Sequence, residues 1–475
     1  MRTLRTLLLG AAGALALAAA IEPASALSLR EAIQIAFDSN PEIGQAIENR
    51  SAIDFELEQA VGLYLPRVDL EASAGAELLS NPSRRAAGVA QNALIPMQVG
   101  VSVSYDLWDS GFRNSEIDRQ AARVDGAAFR VLERSEFIAL GIAQQYFEVL
   151  LQARVMQIAQ ENVAFHQATL SDVNDAIASG ALTEADRQQA LERLSSATAR
   201  LLEAQEALAA ARISFLALVG VEFQNGQMPS RVGAALPQTL DLAIGLARVN
   251  NPRILLAAAD VDAAAAVVEQ SKSALGPKLS FQGGAYTGDD LGGTDGITTD
   301  LQAKLVLRWT IFDGGIRNAE VQENQHRETE AMYAQQQAFR EVEESVRVSW
   351  NRIHSQGRLA AQYSNQLAAS SDLVSTYREQ FTVGERTLLD VLDAQNSRFG
   401  VQILVETARF AVMFSEYRLL AATGTLVEFM GVTPPGQAVD SVRASWDVTP
   451  AEDYQPRTLE PVNLNAPIDL TKFTN

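Results

Sequence analysis

The stretch TVGERTLLDVLDAQ, residues 382–395, decides the fold, because an earlier stretch, SGALTEADRQQA at residues 179–190, repeats its pattern. The matched residues lie 204 positions apart: Gly180 and Gly384, Thr183 and Thr387, Asp186 and Asp390, Ala190 and Ala394. The same spacing relates residues 109–116 to residues 313–320. Chance does not keep one spacing for so long, so each half of the chain is one copy of the same structural unit.

A second spacing, 211 positions, relates the segments that precede these stretches. Its matched residues are Ala32, Ile33, Ala36, Asn40, Pro41 and Pro66 with Ala243, Ile244, Ala247, Asn251, Pro252 and Pro277. One insertion of seven residues between Pro66 and Asp109 accounts for the change of spacing. We therefore predict a first repeat over residues 27–235 and a second over 236–433. Residues 434–475 are rich in proline and lack periodicity, which predicts an extended or disordered tail.

Long helices are predicted wherever proline is missing, since proline breaks helix interiors. No proline lies between Pro96 and Pro229 or between Pro277 and Pro434, and Gly180 or Gly384 divides each interval. A continuous helix over residues 114–179 would be roughly 100 Å long. Apolar residues recur every seven positions, as in Val149, Met156, Val163, Leu170 and Ile177. This period indicates coiled-coil packing of neighbouring helices.

Between the helical stretches the period changes to two, which predicts four strands in two hairpins. The alternating segments begin near residues 67, 99, 278 and 301, and the last one continues through Trp309 to Ile311. We expect each strand to exceed the 9 to 11 residues that cross a bilayer when tilted. Tyr105, Trp108 and Trp309 lie near strand ends, as in the aromatic girdle of a membrane barrel. A soluble sheet packed on one face shows the same alternation, so the barrel is one of two interpretations.

The N-terminus and the composition restrict where the protein works. Arg2 and Arg5 precede an apolar run, and Ala24-Ser25-Ala26 forms a cleavage site, so residues 1–26 are predicted to be a secretory signal peptide. The chain has no cysteine, which excludes disulfides, thiolate metal sites and N-terminal lipidation. Without residues 1–26, 36 basic and 57 acidic residues leave a net charge of −21, which argues against nucleic acid as a partner.

An enzymatic function is not indicated. The three histidines, His166, His326 and His354, are not spaced as a zinc pair, and no G-x-S-x-G or P-loop motif occurs. We expect no catalytic residue, no metal and no cofactor. Two other functions remain as alternatives to a pore: a periplasmic adaptor, which has one helical hairpin among soluble β-domains, or a coiled-coil scaffold.

Four segments together resemble the TolC family of outer-membrane channels, over about residues 29–430. They are the two helix tips, residues 377–395 and 180–186, and the two strand-to-helix turns, residues 107–111 and 311–315. The resemblance implies an internally duplicated membrane protein dominated by α-helices, with four long helical arms and four transmembrane β-strands per chain. Four strands cannot close a barrel, whereas three chains supply 12 strands and leave a lumen.

What the resemblance implies about function is an outer-membrane exit duct for tripartite efflux or type I secretion, built as a homotrimer. Its partners would be a periplasmic adaptor (membrane fusion protein), an inner-membrane pump or ABC transporter, and outer-membrane lipid. Residues 27–65, 221–276 and 425 to about 445 would build or brace a belt around the middle. Drug efflux, metal efflux and protein secretion share this duct, because the pump and adaptor choose the cargo.

Three groups of candidate residues follow. By resemblance, Asp186 and Arg386 would form a gate, although Phe381 and Ala185 stand where the family often has tyrosine and threonine. The exposed tips would contact the adaptor through Gly180, Ala181, Leu182, Thr183, Gly384, Glu385 and Thr387. Asp390 and Asp393 share one helix face, and a threefold ring of them would make the pore entrance select cations. A solvated polar face is the alternative interpretation of this pair.

Overall fold

The structure, a computed structural model, describes residues 26–293 and 296–438. The predicted signal peptide, except for its last residue, and the predicted tail beyond residue 438 lie outside the described residues. Within the described part, no helix combines the length and the apolar character needed to cross a membrane.

Helices make up most of the described chain, and they recur in pairs of equal length. In chain order they are α1 (Leu29–Ser39), α2 (Pro41–Gly62), α3 (Pro82–Ala86), α4 (Phe112–Ala178), α5 (Glu184–Val219), α6 (Leu240–Asn250), α7 (Pro252–Ser273), α8 (Ile316–Thr382), α9 (Leu388–Thr423) and α10 (Leu426–Met430). Helices α4 and α8 both have 67 residues, and α5 and α9 both have 36. The internal duplication is therefore confirmed helix by helix, and α4 alone is about 100 Å long.

Stacked helices lengthen the wall that α4 and α8 form. The side chain of Asn40 accepts a hydrogen bond from the N–H of Glu42 at the start of α2, and its Nδ2 donates to Leu218 O at the end of α5 (3.3 Å). Asn251 makes the equivalent bond to Ala422 O at the end of α9 (2.9 Å). Helix α2 thus continues α5, and α7 continues α9. Both pack against α4, and α7 also packs against α8, so they belong to the wall rather than to the expected belt.

The largest apolar core lies where three of the long helices, α4, α5 and α9, meet α1 and α10. Tyr146 on α4 is fully buried there, and its hydroxyl, which has one proton to donate, lies within hydrogen-bond distance of Leu27 O (2.6 Å) and Gln227 O (2.7 Å). Tyr417 on α9 is buried in the same way and donates to Ser230 O (2.9 Å). These two hydroxyls tie the irregular segments beside the helices to the wall, because a buried hydroxyl without a partner would cost stability.

The four strands form one antiparallel sheet in the order β1-β2-β3-β4. They are β1 (Arg67–Ala74), β2 (Met97–Trp108), β3 (Lys278–Asp289) and β4 (Ile297–Arg308). Val101 lies opposite Leu70 on one side and Ala285 on the other. Residues directly opposite each other share a face, so most apolar positions of the four strands lie on one face and most polar positions on the other. Tyr286 and Val306 are exceptions, since they lie opposite Asp300 and Ser280 on the polar face.

Two details of the predicted strands are wrong. Strand β1 has only 8 residues, fewer than the expected 9 to 11, although a bond from Gly75 N to Pro96 O continues its pairing. Strand β4 ends at Arg308, so Trp309 and Ile311 follow the strand instead of ending it. Strand β1 is shorter than its interior counterpart β3, which has 12 residues, because one side of β1 has no strand to pair with. Strand β4 has 12 residues, as β2 has, but it ends at Arg308, whereas β2 ends at Trp108, the counterpart of Phe312.

Candidate functional site

Two sharp turns at the far end of the long helices build the candidate site. Gly180 and Gly384 have φ angles of 78° and 82°, a left-handed conformation that glycine adopts without strain. The N–H of Ala181 donates to Ala176 O (2.8 Å), and the N–H of Glu385 donates to Gln380 O (2.9 Å). These bonds satisfy carbonyl groups at the ends of α4 and α8, as in the Schellman motif. Both glycines therefore have a structural role at the turn.

The next helix begins at a capping box in both tips. The Asp186 carboxylate accepts hydrogen bonds from the N–H and hydroxyl of Thr183 (2.8 and 2.7 Å), and Asp390 accepts the same bonds from Thr387 (3.2 and 2.7 Å). Hydrogen bonds from these threonines lower the pKa of both carboxyl groups. Asp186 and Asp390 therefore stay ionised and start α5 and α9.

The predicted gate pair does not form within one chain. Arg386 Nε donates to Gln380 Oε1 (3.0 Å), and the guanidinium carbon lies 4.4 Å from the centre of the Tyr377 ring. The Asp186 carboxylate accepts hydrogen bonds from Thr183 instead. Pairing of Asp186 with Arg386 would thus require both side chains to leave these partners, and it remains a prediction.

An apolar cluster joins the two tips inside one chain. Its members are Val173, Ala190, Leu388 and Leu392, which are buried, and Leu170, Ile177, Leu182 and Phe381, which are half-buried. Leu182 is half-buried in this cluster instead of fully exposed as expected, and its contact with an adaptor remains a prediction. Phe381, which lacks the hydroxyl of the family's tyrosine, contributes its ring to the same contacts. Apolar packing therefore holds the tips together where the family pattern suggests a hydrogen bond.

A cleft of about 590 Å³ lies between the tips and carries an ion pair that sequence reasoning missed. Arg378 on α8 contacts the carboxylate of Asp172 on α4 at 3.1 Å. Both side chains are about half exposed, so the pair contributes only ~0.2 to 1 kcal/mol. The two residues are 206 positions apart, and no pattern in a single sequence connects them.

Further contacts join the two helical hairpins above the tips. Asn162 and Gln395 form a buried hydrogen bond of 2.9 Å, and Asp393 pairs with Arg193 at 3.1 Å. Both predicted entrance carboxylates thus have partners within the chain, since Asp390 caps α9 and Asp393 forms an ion pair with Arg193. Their role in a ring of copies remains a prediction.

The other tip residues are open to solvent. Gly180, Ala181, Thr183, Gly384, Glu385 and Thr387 are all exposed. They form a small surface of turn backbone and short polar side chains at the end of the long helices.

Comparison with known proteins identifies this architecture. The sequence pattern of the outer membrane efflux protein family matches residues 32–221 and 243–425, one segment in each repeat. The chain belongs to the outer membrane efflux protein family. Proteins of this family are channels rather than enzymes, and they act in efflux across the outer membrane. The family, the fold class and the function predicted from the sequence are confirmed, and the outer membrane is the location.

Individual relatives of the outer membrane efflux protein family are similar over most of the chain. The outer membrane protein TolC of Escherichia coli is 24% identical over 428 residues, which cover 84% of this chain and 83% of TolC. The outer membrane efflux protein BepC of Brucella suis is 26% identical over 282 residues, 59% of this chain and 62% of BepC. The crystal structure of VceC from Vibrio cholerae shares the fold, with a TM-score of 0.71, 16% identity, and coverage of 86% of this chain and 97% of VceC.

Proposed function

We propose that three copies of this chain form one continuous exit duct, with a 12-stranded barrel in the outer membrane and a helical tunnel below it. The sheet carries this proposal, since one of its faces is apolar and exposed and its two edge strands are unpaired. Leu70 and Leu305, for example, are 75% and 66% exposed on the apolar face. In lipid, an open edge would leave backbone N–H and C=O groups without hydrogen bonds, so the strands must join those of other copies.

We further propose that a cleavable signal at residues 1–26 exports the chain and that the tips dock a periplasmic adaptor. The exposed residues of both tips, with Gly180 and Gly384 at their centres, support this surface. An inner-membrane pump or an ABC transporter would then deliver the cargo through the adaptor. The repeats would span residues 27–235 and 236–433, with the tail over 434–475 outside the duct wall.

The tips would close the duct at its periplasmic end. Across each contact between copies, Asp186 would meet Arg386 once Arg386 leaves Gln380, and Asp390 and Asp393 would line the entrance. An exposed pair contributes ~0.2 to 1 kcal/mol, so three pairs that must break together give roughly 0.6 to 3 kcal/mol. Such a difference would change the open fraction by about 3-fold to 150-fold.

Recordings in planar bilayers test both the duct and its gate. We expect discrete current steps from the wild-type protein, and a larger conductance or open fraction from Arg386→Ser. Exchanging the charges, Asp186→Arg with Arg386→Asp, should restore part of the closure. Arg378→Ser is the matched control for losing an arginine at the same tip, since Arg378 already pairs with Asp172 inside the chain.

Two outcomes would contradict parts of this proposal. Inserted trimers that carry no current, with or without Arg386→Ser, would rule out the duct. If Arg386→Ser changes conductance no more than Arg378→Ser does, the Asp186–Arg386 gate is wrong and the apolar tip cluster alone holds the closed state.

A further inference from the structure

The two edges of the sheet carry apolar side chains that nothing in the described chain covers. On the β1 edge, Val68 and Leu70 are 62% and 75% exposed. Just after the C-terminal end of β4, Trp309 and Phe312 are 56% and 86% exposed. The internal duplication specifies which of these residues meet when copies join, and this inference rests on the proposed trimer.

The two hairpins share one register. By the spacing of 211 residues β1 of the first repeat corresponds to β3 of the second, and by the spacing of 204 residues β2 corresponds to β4. Each pair between β1 and β2 then falls on an observed pair between β3 and β4. At one end, the pair of Arg67 with Ser104 corresponds to the pair of Lys278 with Arg308. At the other end, the pair of Ala74 with Met97 corresponds to the pair of Ala285 with Leu301. The spacings found in the sequence therefore hold residue by residue in the sheet.

The contact between β2 and β3 joins the first repeat to the second within one chain. We infer that β4 of one copy joins β1 of the next copy in the same register. Applying the two spacings to the observed pairs of β2 and β3 gives each contact between copies. In this register Leu305 faces Ala74, Arg308 faces Glu71, Trp309 faces Leu70, and Phe312 faces Val68 of the next copy.

The positions at which the edge strands end agree with this register. Strand β2 continues to Trp108, the counterpart of Phe312, because β3 pairs with its last residues, whereas β4 stops at Arg308. Strand β3 likewise continues to Asp289, the counterpart of Leu78, whereas β1 stops at Ala74. The two missing strand ends are the ones that the next copy would pair with in the inferred register.

The chemistry of the two faces agrees with the inferred register. Leu305 and Ala74 both lie on the apolar face, and Arg308 and Glu71 both lie on the polar face. A shift by one residue would bring apolar positions against polar ones, so such shifts are excluded. Neither Arg308 nor Glu71 has an ion-pair partner within residues 26–293 and 296–438. The interface between β4 of one copy and β1 of the next therefore places an arginine and a glutamate opposite each other on the polar face.

Disulfide cross-linking tests the register directly, because the chain contains no cysteine of its own. The test variant is Leu305→Cys with Ala74→Cys, and the matched controls combine Leu305→Cys with Ala72→Cys or with Ala76→Cys. Residues directly opposite have Cα atoms about 4.5–5.5 Å apart, within the ~6.8 Å limit of a disulfide. The control positions lie about 7–8 Å away and should react poorly. After oxidation, boiled and unreduced samples of the test variant should contain a covalent trimer as the main species.

A second set on the opposite face repeats the comparison in case the first set fails to assemble. It combines Arg308→Cys with Glu71→Cys, and its controls replace Glu71→Cys by Asp69→Cys or Ser73→Cys. Preferential cross-linking of a control pair, or trimers that cross-link at no pair, would overturn the register and leave the trimer intact. If the wild-type protein is a monomer by mass, both the proposed trimer and the inferred pairing of β4 with β1 of the next copy are wrong.

Discussion

An arginine at Val101 or at Leu305 will destabilise the assembled protein by ~2 to 4 kcal/mol per chain if these positions lie near the middle of the bilayer. Both side chains project from the apolar face of the sheet, where lipid would surround them. Val101 lies between Leu70 and Ala285, so a guanidinium there would have only apolar neighbours. Thermal or denaturant unfolding of the reconstituted protein measures the loss.

Ser102→Arg is the matched control for this experiment. Ser102 is the next residue along β2 and lies on the polar face, opposite Asp69 and Gly284. An arginine there would face water in the lumen and lie beside a carboxylate, so we expect little change. Equal stability losses for Val101→Arg and Ser102→Arg would mean that the apolar face does not contact lipid.

Glu136→Gln will make the protein more stable near pH 8 and will leave its stability near pH 4 almost unchanged. Glu136 on α4 is only 5% exposed, and its Oε1 accepts a hydrogen bond from the N–H of Val427 at the start of α10 (3.2 Å). Burial raises the pKa of Glu136 to about 8, and nearby Glu428 raises it further, against the lowering effect of the backbone N–H groups of Val427 and Leu426.

The sign of the effect follows from the proton count. Between the unfolded pKa of 4.5 and the folded pKa of about 8, the folded chain holds a proton that the unfolded chain has released. Stability therefore falls as the pH rises through this window, by up to ~1.4 kcal/mol per pH unit per chain. Glutamine keeps the acceptor for Val427 and cannot ionise, so the variant should be more stable than wild type by ~2 to 5 kcal/mol per chain near pH 8.

Unfolding midpoints at several pH values between 4 and 9 provide the measurement for this prediction. Glu133→Gln is the control, since Glu133 lies one turn earlier on α4 and pairs with Arg134 at a more exposed position. Its pH dependence should match wild type. A Glu136→Gln variant whose stability follows the wild-type curve throughout would show that Glu136 is ionised in the folded protein.

The sequence predicted the large elements well because their signals are local and occur twice. Glycine at the tips, the absence of proline from the long helices and the alternation in the strands each follow from backbone physics. The spacings of the repeat also relate the two hairpins: the pair of Arg67 with Ser104 corresponds to the pair of Lys278 with Arg308. Position in the repeat predicts a belt for the 22-residue helices α2 and α7, because it does not show that Asn40 and Asn251 join these helices end to end with α5 and α9.

The candidate site was harder to predict, because its contacts join residues far apart in the chain. Asp186 and Asp390 were assigned to a gate and a ring, yet each also completes a capping box, a role that the T-x-x-D spacing itself indicates. The pairs Arg378 with Asp172 and Arg193 with Asp393 depend on how the two hairpins align, which heptad periodicity alone does not specify. Leu182 follows a glycine turn, a position that predicts exposure, although apolar residues beside such turns often pack back onto the helix.

The mass of the detergent-extracted protein tests most directly the claim that several chains build one duct. Light scattering corrected for bound detergent, combined with circular dichroism to confirm the sheet and helix content, gives the number of chains in the folded particle. We expect three chains, because four strands per chain leave two open edges and twelve strands close a barrel with a lumen. A folded monomer with its sheet intact would contradict this account.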